Sequence, residues 1–184
     1  MDITKAFEIL SQGKIISANS SQYNNLANML LNDSFFNELN DLINKIGYRL
    51  NGEGGYFYIS KKGKLNATEQ QAFVNKHRDL IVAIAFLRHI YPRLDRGNVI
   101  SFVDTVAQYG NIKRDNTNIT EELKYIVWNK NKHDEKEMME HLFKLLEAKG
   151  VIEKVQEDNT DKYKILDSIN YYLAIVDSIE EGEE

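Results

Sequence analysis

The chain has 184 residues, no cysteine and a formal net charge of −5. That length suits one large domain or two small ones. The absence of cysteine excludes disulfides and thiolate metal sites and fits a reducing, cytoplasmic setting. The most apolar run, Leu80 to Leu87, is far short of the roughly 20 residues that span a bilayer, so no membrane span is expected.

The first ten residues, MDITKAFEIL, lack a basic segment followed by a long apolar run and do not read as a secretory signal. Ile3, Ala6, Phe7 and Leu10 predict a short amphipathic helix that Gly13 ends. Lys14 to Ser17 is a strand candidate. Asn19, Ser20 or Ser21 is positioned to cap a second helix through Tyr23, Leu26, Ala27, Leu30 and Leu31. Asp33 or Ser34 would cap a third, with Phe35, Phe36, Leu39 and Leu42 on its inner face and Gly47 as its stop. Tyr48 and Leu50, then Tyr56 and Tyr58, alternate with polar neighbours across Asn51, Gly52, Gly54 and Gly55, the pattern of a half-buried hairpin. Phe57 should face opposite to Tyr56 and Tyr58. One face is then core, and the other is either a partner surface or a lid over the next helix.

Thr68 with Gln71 resembles a capping box. The helix it opens is apolar on several sides and reaches Tyr91, where Pro92 ends it. It is read as a spacer packing on both flanking domains. Val99, Ile100, Val103, Val106 and Ala107 predict a helix stopped at Gly110, followed by a polar turn over Asn111 to Thr117. Asn118 with Glu121 would cap a helix carrying Leu123, Ile126 and Val127, and His133 or Asp134 one that ends at Gly150. Val151 to Val155 and Tyr163 to Ile165 predict a second hairpin around Glu157 to Asp161. Leu166, Ile169, Tyr172, Leu173, Val176 and Ile179 predict a final helix before an acidic tail.

A helix, a glycine stop and a hairpin therefore occur twice, at residues 39–60 and 141–166. A repeat over about a hundred residues is a duplicated domain, since solenoid repeats run at roughly 20–50 residues. The expected fold is mainly α with short β-hairpins (α+β): tandem winged-helix domains at 1–66 and 96–184, joined by a long helix at 67–95.

Charge is uneven between the halves. Residues 1–95 carry 11 Lys and Arg against 9 Asp and Glu, a net of +2, and residues 96–184 carry 12 against 19, a net of −7. The first half tolerates a polyanion; the second repels one and favours a basic partner segment. Arg49, Lys61, Lys62 and Lys64 at the base of the first hairpin are candidate phosphate contacts, which would bind DNA weakly without reading sequence. Tyr56, Phe57 and Tyr58 are candidate partner contacts. Neither predicted recognition helix is basic, which argues against a winged-helix transcription regulator, the alternative reading.

No catalytic constellation emerges. His77-Arg78-Asp79-Leu80 copies the start of a kinase catalytic loop, but Ile84 stands where that loop needs Asn. Gly52 to Gly55 lacks the Lys-Ser/Thr of a phosphate loop and lies between strands. His133, Glu137 and His141 share a helix face at metal-ligand spacing, yet Lys132, Lys136, Glu140 and Lys144 make that a solvated face. No enzyme activity, metal or cofactor is expected.

The segments GKIISANSS, IGYRLNGEGGYFYISKKG and LRHIYPRLDRG resemble the MksE/MukE group, and the resemblance extends over nearly the whole chain. It implies a kleisin-interacting tandem winged-helix protein that forms homodimers in bacterial condensin-like complexes. It further implies partners of two kinds, a kleisin (MksF/MukF-like) and an SMC ATPase (MksB/MukB-like) that carries the catalysis, and a nucleoid-associated location. It leaves open whether the complex serves chromosome segregation or plasmid defence.

Overall fold

The computed structural model describes residues 2–64, 66–115, 118, 121, 123–124, 134–155 and 161–180. These form seven helices and two small antiparallel sheets. The order is α1 (Asp2–Ser11), β1 (Ile16–Ser17), α2 (Asn24–Leu30), α3 (Asp33–Lys45), β2 (Tyr48–Glu53) and β3 (Tyr56–Lys61), then α4 (Ala67–Ile90), β4 (Val99–Ser101), α5 (Phe102–Asp115), α6 (Glu135–Ala148), β5 (Ile152–Lys154), β6 (Lys162–Ile165) and α7 (Ile169–Glu180).

The repeat read from the sequence is visible in the strand order. The first sheet runs β1-β3-β2 and the second β4-β6-β5, every neighbour antiparallel. In each, the hairpin's second strand is central and a short strand from upstream covers its outer side. β2 and β3 pair from Tyr48 opposite Lys61 to Glu53 opposite Tyr56. Only Gly54 and Gly55 then remain for the turn. Their φ values of 54° and 91° are those a two-residue hairpin loop needs at both positions. Gly52 differs from the sequence expectation. It lies inside β2, without a positive φ, and its constraint is space, because an added Cβ would sit 2.7 Å from the Phe57 ring.

Several boundaries also differ. Asn32 caps α3, its side chain accepting from the Ser34 and Phe35 amides, so Asp33 and Ser34 are already helical. Asn66 and Glu69 form the capping box of α4, slightly upstream of Thr68 and Gln71. Leu42, expected inward, is exposed, while Leu39 and Ile43 carry the inner face of α3. Val99 to Ser101 is a strand, because it pairs with Lys162 to Lys164. Gly110 and Asn111 are helical, so α5 runs on to Asp115. Of the helix expected over 118–127, residues 118, 121, 123 and 124 are helical and Leu123 is fully buried. Ile126, Val127, His133 and the turn around 156–160 lie outside the described residues.

Two cores result. The first packs α1, α2 and α3 onto one face of the first sheet through Leu10, Ile16, Leu30, Leu39, Leu50 and Phe57. The second collects α4 with α5, α6, α7 and the second sheet, and it includes Ile15 and Tyr56. Adjacent residues thus serve different cores: Ile15 and Ile16 point to opposite sides, as do Tyr56 and Phe57. That is the two-residue period of a strand put to use as a partition wall. The broad apolar surface of α4 is used within the chain, where Leu80, Ile84, Phe86, Leu87 and Ile90 are all buried.

Candidate interaction site

The boundary between the two cores is also a polar joint. The segment after β1, Ser17 to Ser21, lies against the turn between β6 and α7. The Asn19 amide donates to Asp167 Oδ2 at 3.0 Å, the Asp167 amide donates to Asn19 Oδ1 at 2.9 Å, and Asn19 Nδ2 donates to the Ile165 carbonyl at 3.0 Å. The Ser168 amide donates to Ser17 Oγ at 3.1 Å. Close by, the Ser21 amide donates to both carboxylate oxygens of Glu153 at 2.9 Å, and Ser20 Oγ to one of them at 3.1 Å. Lys164 Nζ closes on the same carboxylate at 2.8 Å. Burial alone would raise the Glu153 pKa, but the Lys164 ammonium and the Ser21 and Ser20 donors outweigh it and hold the carboxyl below its usual range. Asn19, Ser20 and Ser21, read from sequence as helix caps, therefore act mainly across the boundary. Ser20 keeps a local role, accepting from the Gln22 and Tyr23 amides.

One further contact crosses between the halves, and another ties α4 to α7 beside the second core. Arg96 Nη1 donates to the Gly54 carbonyl at 2.6 Å, tying the first hairpin's tip to the approach to β4. Arg88 on α4 meets Asp177 on α7 at 2.5 Å.

Two clefts flank the Lys14–Ile15 segment. The larger, about 870 Å3, runs between Ser20 to Tyr23 and the α6–β5 corner at Gly150 to Val155. The smaller, about 250 Å3, lies among the ends of α1, β3, α4 and α7.

The aromatic residues of β3 divide between these surroundings. Phe57 is buried in the first core against Phe36, ring centroids 6.4 Å apart. Tyr56 is buried on the other face, against Tyr171 at 6.5 Å. Tyr58 is half-buried, 4.7 Å from the Tyr171 ring, and lines the smaller cleft. Burial, with the neighbouring Tyr58 and Tyr56 rings, pushes the Tyr171 hydroxyl up to about 12. Of the three candidate partner contacts, Tyr58 is the one with appreciable surface.

The four basic candidates lie along the base of the first hairpin, with Arg49 and Lys61 on opposite faces of the sheet. Arg49 pairs with Ser60 across the ladder and Tyr48 with Lys61. Lys61 is bonded to Glu69, whereas Lys62 Nζ reaches the Asn44 carbonyl at 3.5 Å. Lys62 and Lys64 are exposed. Glu69 thus offsets part of the local positive charge, from a position eight residues away on a different element.

His77, Arg78 and Asp79 lie inside α4, with His77 packed between Phe73 and Tyr172. No group of three His, Asp or Glu side chains is arranged to hold a metal among the described residues. None of their helices is long and apolar enough to cross a membrane.

The condensin complex protein MksE family matches residues 2–176. The chain belongs to the MksE family. It is therefore a subunit of the condensin-like class. No curated protein matches the chain.

Proposed function

We propose that this MksE-family chain is a non-catalytic, kleisin-binding subunit of a bacterial SMC complex. The observation that carries the reading is the family match over residues 2–176. Each half contains the order strand, helix, helix, hairpin among the described residues, which supports a tandem winged-helix architecture divided at 1–66 and 96–184, with α4 between them. The long edge strand β2 and the short edge strand β5 leave main-chain donors and acceptors on one side each. Such edges accept an extended segment by strand addition.

In this reading the kleisin (MksF/MukF-like) supplies that segment and an SMC ATPase (MksB/MukB-like) supplies turnover. The protein acts at the nucleoid, in chromosome segregation or plasmid defence, as a homodimer. Exposed Leu42, Ile46 and Tyr48, closely spaced between α3 and β2, offer apolar surface for such assembly.

The test is co-expression of the tagged chain with its genomic neighbours, followed by affinity purification and light scattering. Recovery of a kleisin and an SMC ATPase in stoichiometric amounts supports the reading. A monomer recovered alone, which selects one operator from a random DNA pool, replaces it with the regulator reading.

A further inference from the structure

The smaller cleft has walls and a rim of different character. Its walls are aromatic side chains from three elements: Tyr58 on β3, Phe73 on α4, and Tyr171 and Tyr172 on α7. Its volume, about 250 Å3, is below the range of about 300–1,000 Å3 typical of sites for whole small molecules. It matches the size of one large side chain, the kind of anchor that dominates protein interfaces when it fills a pocket.

The rim is cationic. Lys14, Lys61 and Lys76 all line the cleft, and among the described residues no carboxylate does. Lys61 is offset by Glu69, but Lys14 and Lys76 are exposed and form no ion pair among the described residues. His77, at the cleft wall, has its pKa lowered first by burial and then by Lys76 and Lys149, a second sign of positive surroundings. The acidic balance of the chain's second half does not extend to this spot.

We propose that this pocket receives one apolar anchor side chain, aromatic or branched aliphatic, carried on an acidic peptide segment of a partner protein. The aromatic walls supply contact area and edge-to-face geometry for the anchor. Lys14 and Lys76 select flanking carboxylates and fix the direction in which the segment crosses the rim. The proposal rests on the partner-binding reading above for the existence of a partner, and it names the chemistry of one of its contacts.

The test titrates the full chain into three fluorescein-labelled peptides of equal length, followed by anisotropy. One carries a tryptophan flanked by glutamates, one has alanine for that tryptophan, and one has the tryptophan flanked by lysines. The first should bind at least about tenfold more tightly than either control, a difference of about 1.4 kcal/mol. Lys76→Glu should remove the preference for acidic flanks, and Phe73→Ala the preference for tryptophan, with circular dichroism spectra unchanged. Lys14→Glu provides the charge test should Lys76→Glu not fold. Equal binding of the three peptides, no binding of any, or folded variants that bind like the parent overturns the proposal. Co-purification separates it from the wider reading. A kleisin retained equally by the parent and both folded variants removes the pocket but leaves the subunit assignment standing. A parent that captures no kleisin, yet passes the peptide test, removes the subunit assignment and leaves the pocket.

Discussion

Asn19 and Asp167 bond to each other twice across 148 residues of sequence, each backbone amide donating to the other's side chain at 3.0 and 2.9 Å. Asp167 is 6% exposed, so its carboxylate relies on this partner more than on water. Replacing either residue by alanine leaves a polar group of the other without its bond. Asn19→Ala and Asp167→Ala should each lower stability by about 1–3 kcal/mol. The double variant should lose about the sum, because each substitution deletes a different one of the two bonds and leaves its own donating amide in place. Urea denaturation reads this as a shifted midpoint with the slope preserved.

Two titrating groups give the acid limb of stability two separate windows. The His77 pKa is lowered in the folded chain by burial, with Lys76 and Lys149 adding to it, so the unfolded chain takes up the proton first. Its stability contribution is complete above the ordinary histidine value of about 6.5 and declines as pH falls below it, toward the folded value. The Glu153 pKa is also lowered, so its contribution holds above the ordinary glutamate value of about 4.3 and is lost as pH falls through the folded value. Thermal melts from pH 7 downward should therefore show His77→Gln flattening the first decline and Glu153→Gln the second. A parent melting temperature that is constant from about pH 7 to about pH 5 would contradict the histidine assignment.

Two glycines should respond to alanine in opposite directions. At exposed Gly52 the new Cβ meets the Phe57 ring at 2.7 Å and Phe36 at 3.3 Å, so a core ring must shift, and overpacking of this kind costs about 1–3 kcal/mol. Gly110 lies within α5 with nothing in the way of a Cβ, and there alanine should gain about 1 kcal/mol of helix propensity. Denaturation midpoints of Gly52→Ala and Gly110→Ala should fall on either side of the parent's.

The basic cluster at the first hairpin is tested by salt dependence. If Lys62 and Lys64 each meet a phosphate, Lys62→Glu with Lys64→Glu should weaken duplex binding uniformly across sequences. The slope of log affinity against log salt should then become shallower by about 0.9 for each phosphate no longer neutralised. Lys61→Glu should act less, since Glu69 already holds Lys61. An unchanged slope removes the cluster from the DNA-binding surface.

Elements carried by local pattern are legible in the sequence: both hairpins, the Gly13, Gly47 and Gly150 stops, and the end of α4 before Pro92. Caps are legible only to within a few residues, because Asn32, Asp33 and Ser34 are all competent and geometry chooses among them. β4 reads as helix because Val99, Ile100 and Val103 also fit a helical period, and its pairing with β6 is non-local. The repeat itself holds the missing signal, since β1 occupies the corresponding place in the first sheet. The joint is not legible at all. Asn19, Ser20 and Ser21 look like local caps, and nothing in their neighbourhood announces Asp167 or Glu153. The same is true of the small cleft, whose walls come from segments that periodicity treats separately.

Units of one chain ordinarily move against one another. Here the hydrogen bonds of Ser17 to Ser21 hold the two sheets at one setting, and Tyr56 and Ile15 lie in both the wall of one unit and the core of the other. The open edges β2 and β5 are consequently tied to one another through this joint. A ligand chain long enough to touch both meets a ruler rather than a pair of jaws. The ordering entropy of such a complex then falls on the ligand, and stiffening the ligand, not this protein, is the way to tighten it.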